Sequence, residues 1–234
     1  MSEIKKKLEL SQSDKLNGLR AAVLGANDGV VSTAGLIFGV AGATNNKGAI
    51  FTAGLAGLIA GAISMAVGEY VSVSTQRDTE RAFIEKEKRL LKKDPEGQTQ
   101  DLAAFYEAKG VSAKTALQFA RELSAKDPIK AHLEAELKLD EEDLTNPITA
   151  AVASFFSFGM GALIPLLAAV LSPDYSRMYI TLVAVVFGLF VTGYYSAKFG
   201  GANKRAAVIR VLIGGIVAMA VTYAIGRAFG TAIS

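Results

Sequence analysis

Two acidic side chains interrupt otherwise apolar stretches of this 234-residue sequence: Asp28 in LGANDGVVSTAGLIFGV and Glu69 in AISMAVGEY. An ionised carboxylate in hydrocarbon costs several kcal/mol on insertion scales, so an acid kept there defaults to function. Asp28 lies nine residues in from Leu19, roughly 13 Å of helix, and Met65 lies eight residues before Val73, roughly 12 Å along a span running the other way. An aspartate and a thioether therefore stand at similar depth on consecutive spans. Glu69, four residues after Met65, shares its helix face nearer the mouth. A carboxylate alone suits protons or hard cations, and a thioether adds affinity for softer transition metals. Asn27 beside Asp28, with Gly25 and Gly29 flanking, suits close helix approach and internal hydration. The blander alternative makes Asp28 a structural hydrogen-bonding group and Met65 lipid-facing filler.

A second set of candidates lies in a charged stretch. Of the 22 acidic residues, 16 fall between Gln76 and Asn146, among them Glu80, Glu85, Glu87, Asp101, Glu107, Glu134 and Glu136. The single histidine, His132, is there too, four residues before Glu136, a spacing suited to sharing a divalent cation. Taken singly, such charges form a solvated helix face. Cysteine is absent, so any metal must be held by oxygen, nitrogen or thioether donors. A net charge of +3 is too small to argue for nucleic acid, and none is expected as a partner.

The elements that position these groups follow from the rest of the pattern. The chain is 51% hydrophobic, with a mean hydropathy of +0.33, and its charges concentrate in one block. It therefore reads as an all-α polytopic membrane protein with one polar insert. Crossing about 30 Å of hydrocarbon takes roughly 20 helical residues. Five segments meet that length, at about 19–43, 49–73, 148–171, 179–197 and 206–229, separated by TNNKG, the insert, SPDYSR and KFGGANKR. The expected division is 1–75 for the tail and first two spans, 76–146 for the helical metal-binding insert, and 147–234 for spans three to five. The second span has no breaker before Asp94-Pro95, so its helix is expected to continue that far. Further insert helices are expected at 99–109, 112–125 and 128–138, with Gly110 as a turn. Small-xxx-small pairs Gly25/Gly29, Gly35/Gly39 and Gly57/Gly61 argue for tight packing within a subunit or across a dimer, and Pro165 is expected to kink the third span.

Lysine and arginine crowd the N-terminal flank (Lys5, Lys6, Lys7, Lys15, Arg20) and the turn between spans four and five (Lys198, Lys204, Arg205, with Arg210 just inside). The other side has Lys47, Arg177 and Arg227. The N-terminus and insert are thus expected in the cytoplasm and the C-terminus outside. The polar N-terminus does not read as a cleaved signal peptide.

The stretches LRAAVLGANDGVVSTAGLIFGVAGA and AGLIAGAISMAVGEYVSVSTQRDTERA resemble the first two spans of the vacuolar iron transporter family. The chain resembles a bacterial-type member of that family, and the compact termini make a bacterial plasma membrane the expected home. The resemblance implies a homodimer that exports Fe²⁺ from the cytosol in exchange for protons, with the pathway between the first spans of the two subunits. It implies that Asp28 alternately holds metal and proton, that Met65 is its thioether partner, and that Glu69 is a ligand nearer the cytoplasmic entrance. Glu87 in IEKEK and Glu136 in EAELKL match insert positions that collect metal in plant-type members, and Asp101 replaces a glutamate there. Leu90 and Gln98 stand where plant-type members carry further glutamates, and AHLEAEL has histidine where they have methionine.

The expected function is therefore proton-coupled export of Fe²⁺, or of Mn²⁺ as the main substrate, with no cofactor beyond the transported ion. Two other classes stay open: an iron-oxidising centre, and a membrane-anchored metal sensor that moves nothing. The enzyme reading is weak because paired Glu-x-x-His motifs need two histidines. The expected home is the cell membrane, in contact with its lipid, or the vacuolar membrane in a eukaryote.

Overall fold

A computed structural model describes residues 2–137 and 146–233, with side chains described over 22–135 and 146–230. Among the described residues the chain is helical throughout, with α1 (Ser2–Ala43), α2 (Lys47–Lys93), α3 (Pro95–Ala108), α4 (Ala113–Lys126), α5 (Pro128–His132), α6 (Pro147–Leu171), α7 (Arg177–Phe199) and α8 (Lys204–Ile233). A π-helical turn, Leu133–Leu137, follows α5. Five of the helices are long and apolar enough to cross a membrane, over Ala22–Ala43, Lys47–Lys93, Pro147–Leu171, Arg177–Phe199 and Lys204–Gly230. The chain divides into two compact units, one of Met1–Tyr70 with Ile148–Ser234 and one of Val71–Pro147.

In the first unit α1 is the central element. Val30, Ala34 and Ile37 are fully buried and join Ile50, Leu166, Val185, Leu189 and Met219 in one apolar core. Ala62, Phe158 and Ala162 form a second, smaller core. The outward faces carry large apolar side chains such as Ile59, Ile63, Phe187 and Ile213, as lipid-facing helices should. Glycine sets the closest crossings. A Cβ on Gly29 would lie 2.1 Å from the Phe158 carbonyl oxygen, and one on Gly161 would lie 2.0 Å from that of Ala26. The Gly25/Gly29 pair thus packs on α6 and Gly35/Gly39 on Thr222 of α8, while Gly57 meets Leu36 of α1 and Gly61 meets Phe158 of α6. All three small-residue pairs serve packing within the subunit. α6 continues through the buried Pro165.

Short polar turns close the helices by backbone accounting. Asn46 caps α2 by accepting from the Ala49 N–H at 3.0 Å, and Asn203 caps α8 by accepting from Arg205 and Ala206. Gly201, at φ +65°, follows the last turn of α7, and the Ala202 N–H reaches back to the Ala197 carbonyl.

The second unit packs the Val71–Lys93 part of α2 with α3, α4, α5 and the π-helical turn. Its core is Leu102 with Ala103, Ala116, Ala120, Ala131 and Ala135, small residues that let the helices approach closely. Tyr106 stacks edge-on against both Phe105 and Phe119. The expected helix at 99–109 begins earlier, at Pro95. Asp94 accepts from the Gly97 N–H at 2.9 Å and Pro95 occupies the first turn, so the proline that ends one helix starts the next. The expected helix at 128–138 instead changes winding after His132, and its last residue, Lys138, lies outside the described residues. Gly110 makes the α3–α4 turn at φ +93°, a conformation that favours glycine.

Candidate metal sites

The two units hold separate candidate sites. In the first, a cavity of about 510 Å³ opens among α1, α2, α6, α7 and α8. Its polar lining is Asn27, Met65, Glu69, Ser154, Thr192 and Ser196. Met65 and Glu69 are one turn apart on α2 and both half-buried, so the helical repeat that aligns them also aims them into the cavity. Asn27 arrives from α1, at the level where Asp28 and Met65 were expected to meet. Thr192 of α7 donates to Leu189 O at 3.1 Å or to Asn27 Oδ1 at 3.4 Å, a polar tie between α7 and α1. The tie shares a single hydroxyl proton between two acceptors.

Asp28 is placed differently. One residue beyond Asn27 is a rotation of about 100° on a helix, and Asp28 is exposed on the protomer. Its backbone carbonyl accepts from the Ser32 hydroxyl at 2.5 Å. Met65 and Glu69 therefore share a cavity with Asn27, while Asp28 is exposed one helical turn beyond Leu24, which lines the same cavity.

In the second unit the structure joins two candidates that sequence spacing did not pair. His132 Nδ1 lies 3.2 Å from Glu87 Oε1, with the histidine side chain fully buried and that of Glu87 only 12% exposed. The same arrangement stands behind many metal-bound histidines, and it is equally a structural tie between α5 and α2. The other candidates are dispersed. Glu80 accepts from Gln76 Nε2 at 2.8 Å along the same helix. Asp101 is exposed on α3, with Gln98 Nε2 3.3 Å away. The Glu136 side chain lies outside the described residues, so its pairing with His132 is not seen. Among the described residues no three His, Asp or Glu side chains converge closely enough to hold an ion.

Sequence reasoning missed Ser154, Thr192 and Ser196. A signal existed, since Thr192 and Ser196 are hydroxyls one helical turn apart in an apolar span. Neither carries charge, and isolated serines and threonines are common in such helices.

Comparison with known proteins bears on both units. Residues 19–227 match the model of the VIT family. The chain is 43% identical over 210 residues to a vacuolar iron transporter of Acanthamoeba castellanii, an alignment that spans 89% of this chain and 77% of that protein. It is 40% identical over 213 residues to vacuolar iron transporter homolog 1 of Oryza sativa subsp. japonica, spanning 91% and 74%. It is 36% identical over 227 residues to vacuolar iron transporter homolog 2.1 of Arabidopsis thaliana, spanning 97% and 88%.

Proposed function

The chain belongs to the VIT family, a family of transporters and not of enzymes, and from that premise we propose that it exports Fe²⁺ from the cytosol in exchange for protons. Movement of metal ions across a membrane by a multi-pass protein comes with the family; direction, proton coupling and the choice of Fe²⁺ are our reading. Asp28 carries it. A carboxylate in the first span that binds either a proton or a cation is what a metal–proton exchanger needs, and in GANDG it stands on the exposed side of α1. Exposure to lipid would be costly for such a group, so it supports a homodimer in which the first spans of two subunits face each other and share the pathway. Met65 supplies a thioether that favours transition metals over Mg²⁺ or Ca²⁺. Glu69 stands one turn further along α2 as the cytoplasmic-side ligand. Glu80, Glu87, Asp101, His132 and Glu136 of the second unit gather ions from the cytosol, most of them singly and weakly.

The test is uptake by liposomes holding the purified protein, with a pH gradient imposed and Fe²⁺ or Mn²⁺ supplied. We expect gradient-driven uptake in wild type and its loss in Asp28→Ala, with both proteins eluting alike on size exclusion. Uptake that ignores the gradient removes proton coupling. Uptake unchanged in Asp28→Ala removes the role given to the carboxylate. Faster Mn²⁺ than Fe²⁺ makes manganese the main substrate.

A further inference from the structure

We propose that the α7–α8 turn is a binding site for an anionic phospholipid. Lys198 and Lys204 hold its phosphate beside Tyr194 and Tyr195, and an acyl chain lies along the outer stripe of α7. The site needs neither metal nor transport, so it goes beyond the export reading and stands independently of it.

Charge points to the ligand first. Residues 175–234 contain six lysines and arginines and no aspartate or glutamate. Four of the six, Lys198, Lys204, Arg205 and Arg210, flank this one turn, and all four are exposed. None of the four pairs with a carboxylate among the described residues. Lys204 and Arg205 open α8, where the helix macrodipole disfavours cations. The N–H groups of Arg205 and Ala206 are already taken by Asn203 Oδ1. Positive charge at a positive helix end, with no internal acid to offset it, calls for an anion from outside. Side chains rather than backbone must hold that anion.

The geometry is more specific than orientation in a membrane requires. Lysines anywhere in a turn would serve to orient the chain. Here Lys198 Nζ lies 5.7 Å from the centroid of the Tyr195 ring, and Lys204 Nζ lies 5.1 Å from that of Tyr194. The two rings meet edge-on with centroids 5.6 Å apart. One aromatic pair thus gathers ammonium groups from two helices. Tyrosine is also the residue type that settles at headgroup level. An ammonium resting on a ring keeps N–H donors for phosphate oxygens.

The apolar half of the ligand has its own track. Val183, Phe187, Phe190 and Tyr194 follow one another at four, three and four residues, a single stripe of α7. Val183, Phe187 and Phe190 are exposed, and Phe190 stacks on Tyr194 with centroids 6.4 Å apart. From Val183 to Tyr194 the stripe runs about 16 Å, close to the reach of an acyl chain. A free phosphate would use the cations and ignore the stripe; a phospholipid uses both. The turn also lies at the end of the bundle expected in the cytoplasm, where the leaflet carries anionic lipid.

The measurement is native mass spectrometry of the detergent-purified full chain, titrated with phosphatidylglycerol or with phosphatidylcholine of the same acyl chains. We expect phosphatidylglycerol to bind in preference. Lys198→Gln/Lys204→Gln should weaken it about thirtyfold, the worth of two cations beside an anionic surface, and leave phosphatidylcholine unchanged. Arg205→Gln/Arg210→Gln removes the same charge away from the tyrosine pair and should weaken it severalfold at most. Lys198→Arg/Lys204→Arg should bind as wild type does. Elution on size exclusion like that of wild type shows that each variant is folded. Equal binding of the two lipids overturns the proposal by removing selectivity for an anion. Equal losses in the two glutamine variants overturn it by reducing the site to diffuse attraction. Displacement of the lipid by millimolar inorganic phosphate overturns it by making the occupant a soluble ion.

Discussion

At the scale of single residues, two neighbours on α1 divide the labour. Asn27 lines the internal cavity and Asp28 is exposed, and Gly29 then lets the same helix lie against α6. A methyl at Gly29 would meet the backbone of α6, 2.1 Å from Phe158 O and 2.9 Å from Ala162 N, and neither atom can move aside alone. Gly214 of α8 has nothing within 4 Å of the same methyl. The two glycines look alike in sequence and should answer oppositely. We expect Gly29→Ala to cost on the order of 1–3 kcal/mol through forced separation of the helices. Gly214→Ala should be neutral or favourable by up to about 1 kcal/mol, since alanine is the better helix former. Residual monodisperse protein after heating in detergent ranks the two, and an unharmed Gly29→Ala would show the α1–α6 crossing to be looser than described. The acids were legible because charge in an apolar run stands out. Which side of α1 each residue takes was not, because a one-residue step changes the side and the packing partners are far away in sequence.

At the scale of elements, Asp-Pro occurs at two helix junctions of the second unit and does the same work in both. Asp94 accepts from the Gly97 N–H and Asp127 from the Lys130 N–H, each at about 3 Å, and the proline that follows starts the next helix. The proline was read correctly as a stop for α2. Its second role as a start was missed, and α3 was placed four residues late. Gly110 was legible as a turn because left-handed φ favours glycine. The π-helical turn after His132 was not, since no local residue type announces it. The His132–Glu87 contact joins residues 45 apart, and only folding brings them together. We expect Asp94→Ala to lower the stability of the first turn of α3 by about 1 kcal/mol. Hydrogen exchange at Gly97 and its neighbours should then quicken by about fivefold, the equivalent of that energy. Asp94→Asn, which keeps an accepting oxygen, should change it little. Equal exchange in all three proteins would mean that the proline alone sets the start of α3.

At the scale of the whole molecule, the five apolar helices were legible to within a few residues, because length and hydropathy are summed over a whole span and tolerate local errors. Orientation follows from a different and sparser signal, the placement of lysine and arginine in short turns. An odd number of crossings puts the two ends on opposite sides, and two crossings return the chain to the side it started from. On that reasoning the second unit and the α7–α8 turn are expected on the cytoplasmic side with the N-terminus, and the α1–α2 turn outside. The cysteine-free chain allows a direct check. Asn45, Ala104 and Ala202 are exposed, one in each of these regions, and a thiol at each changes little else. In intact cells a membrane-impermeant maleimide should label Asn45→Cys and spare Ala104→Cys and Ala202→Cys, which should react only after permeabilisation. Labelling of Ala202→Cys and Asn45→Cys from the same side would mean an even number of crossings between them and would remove one of the five spans. Reversed labelling of all three would keep the spans and turn the transporter over, making it an importer under the same proton gradient.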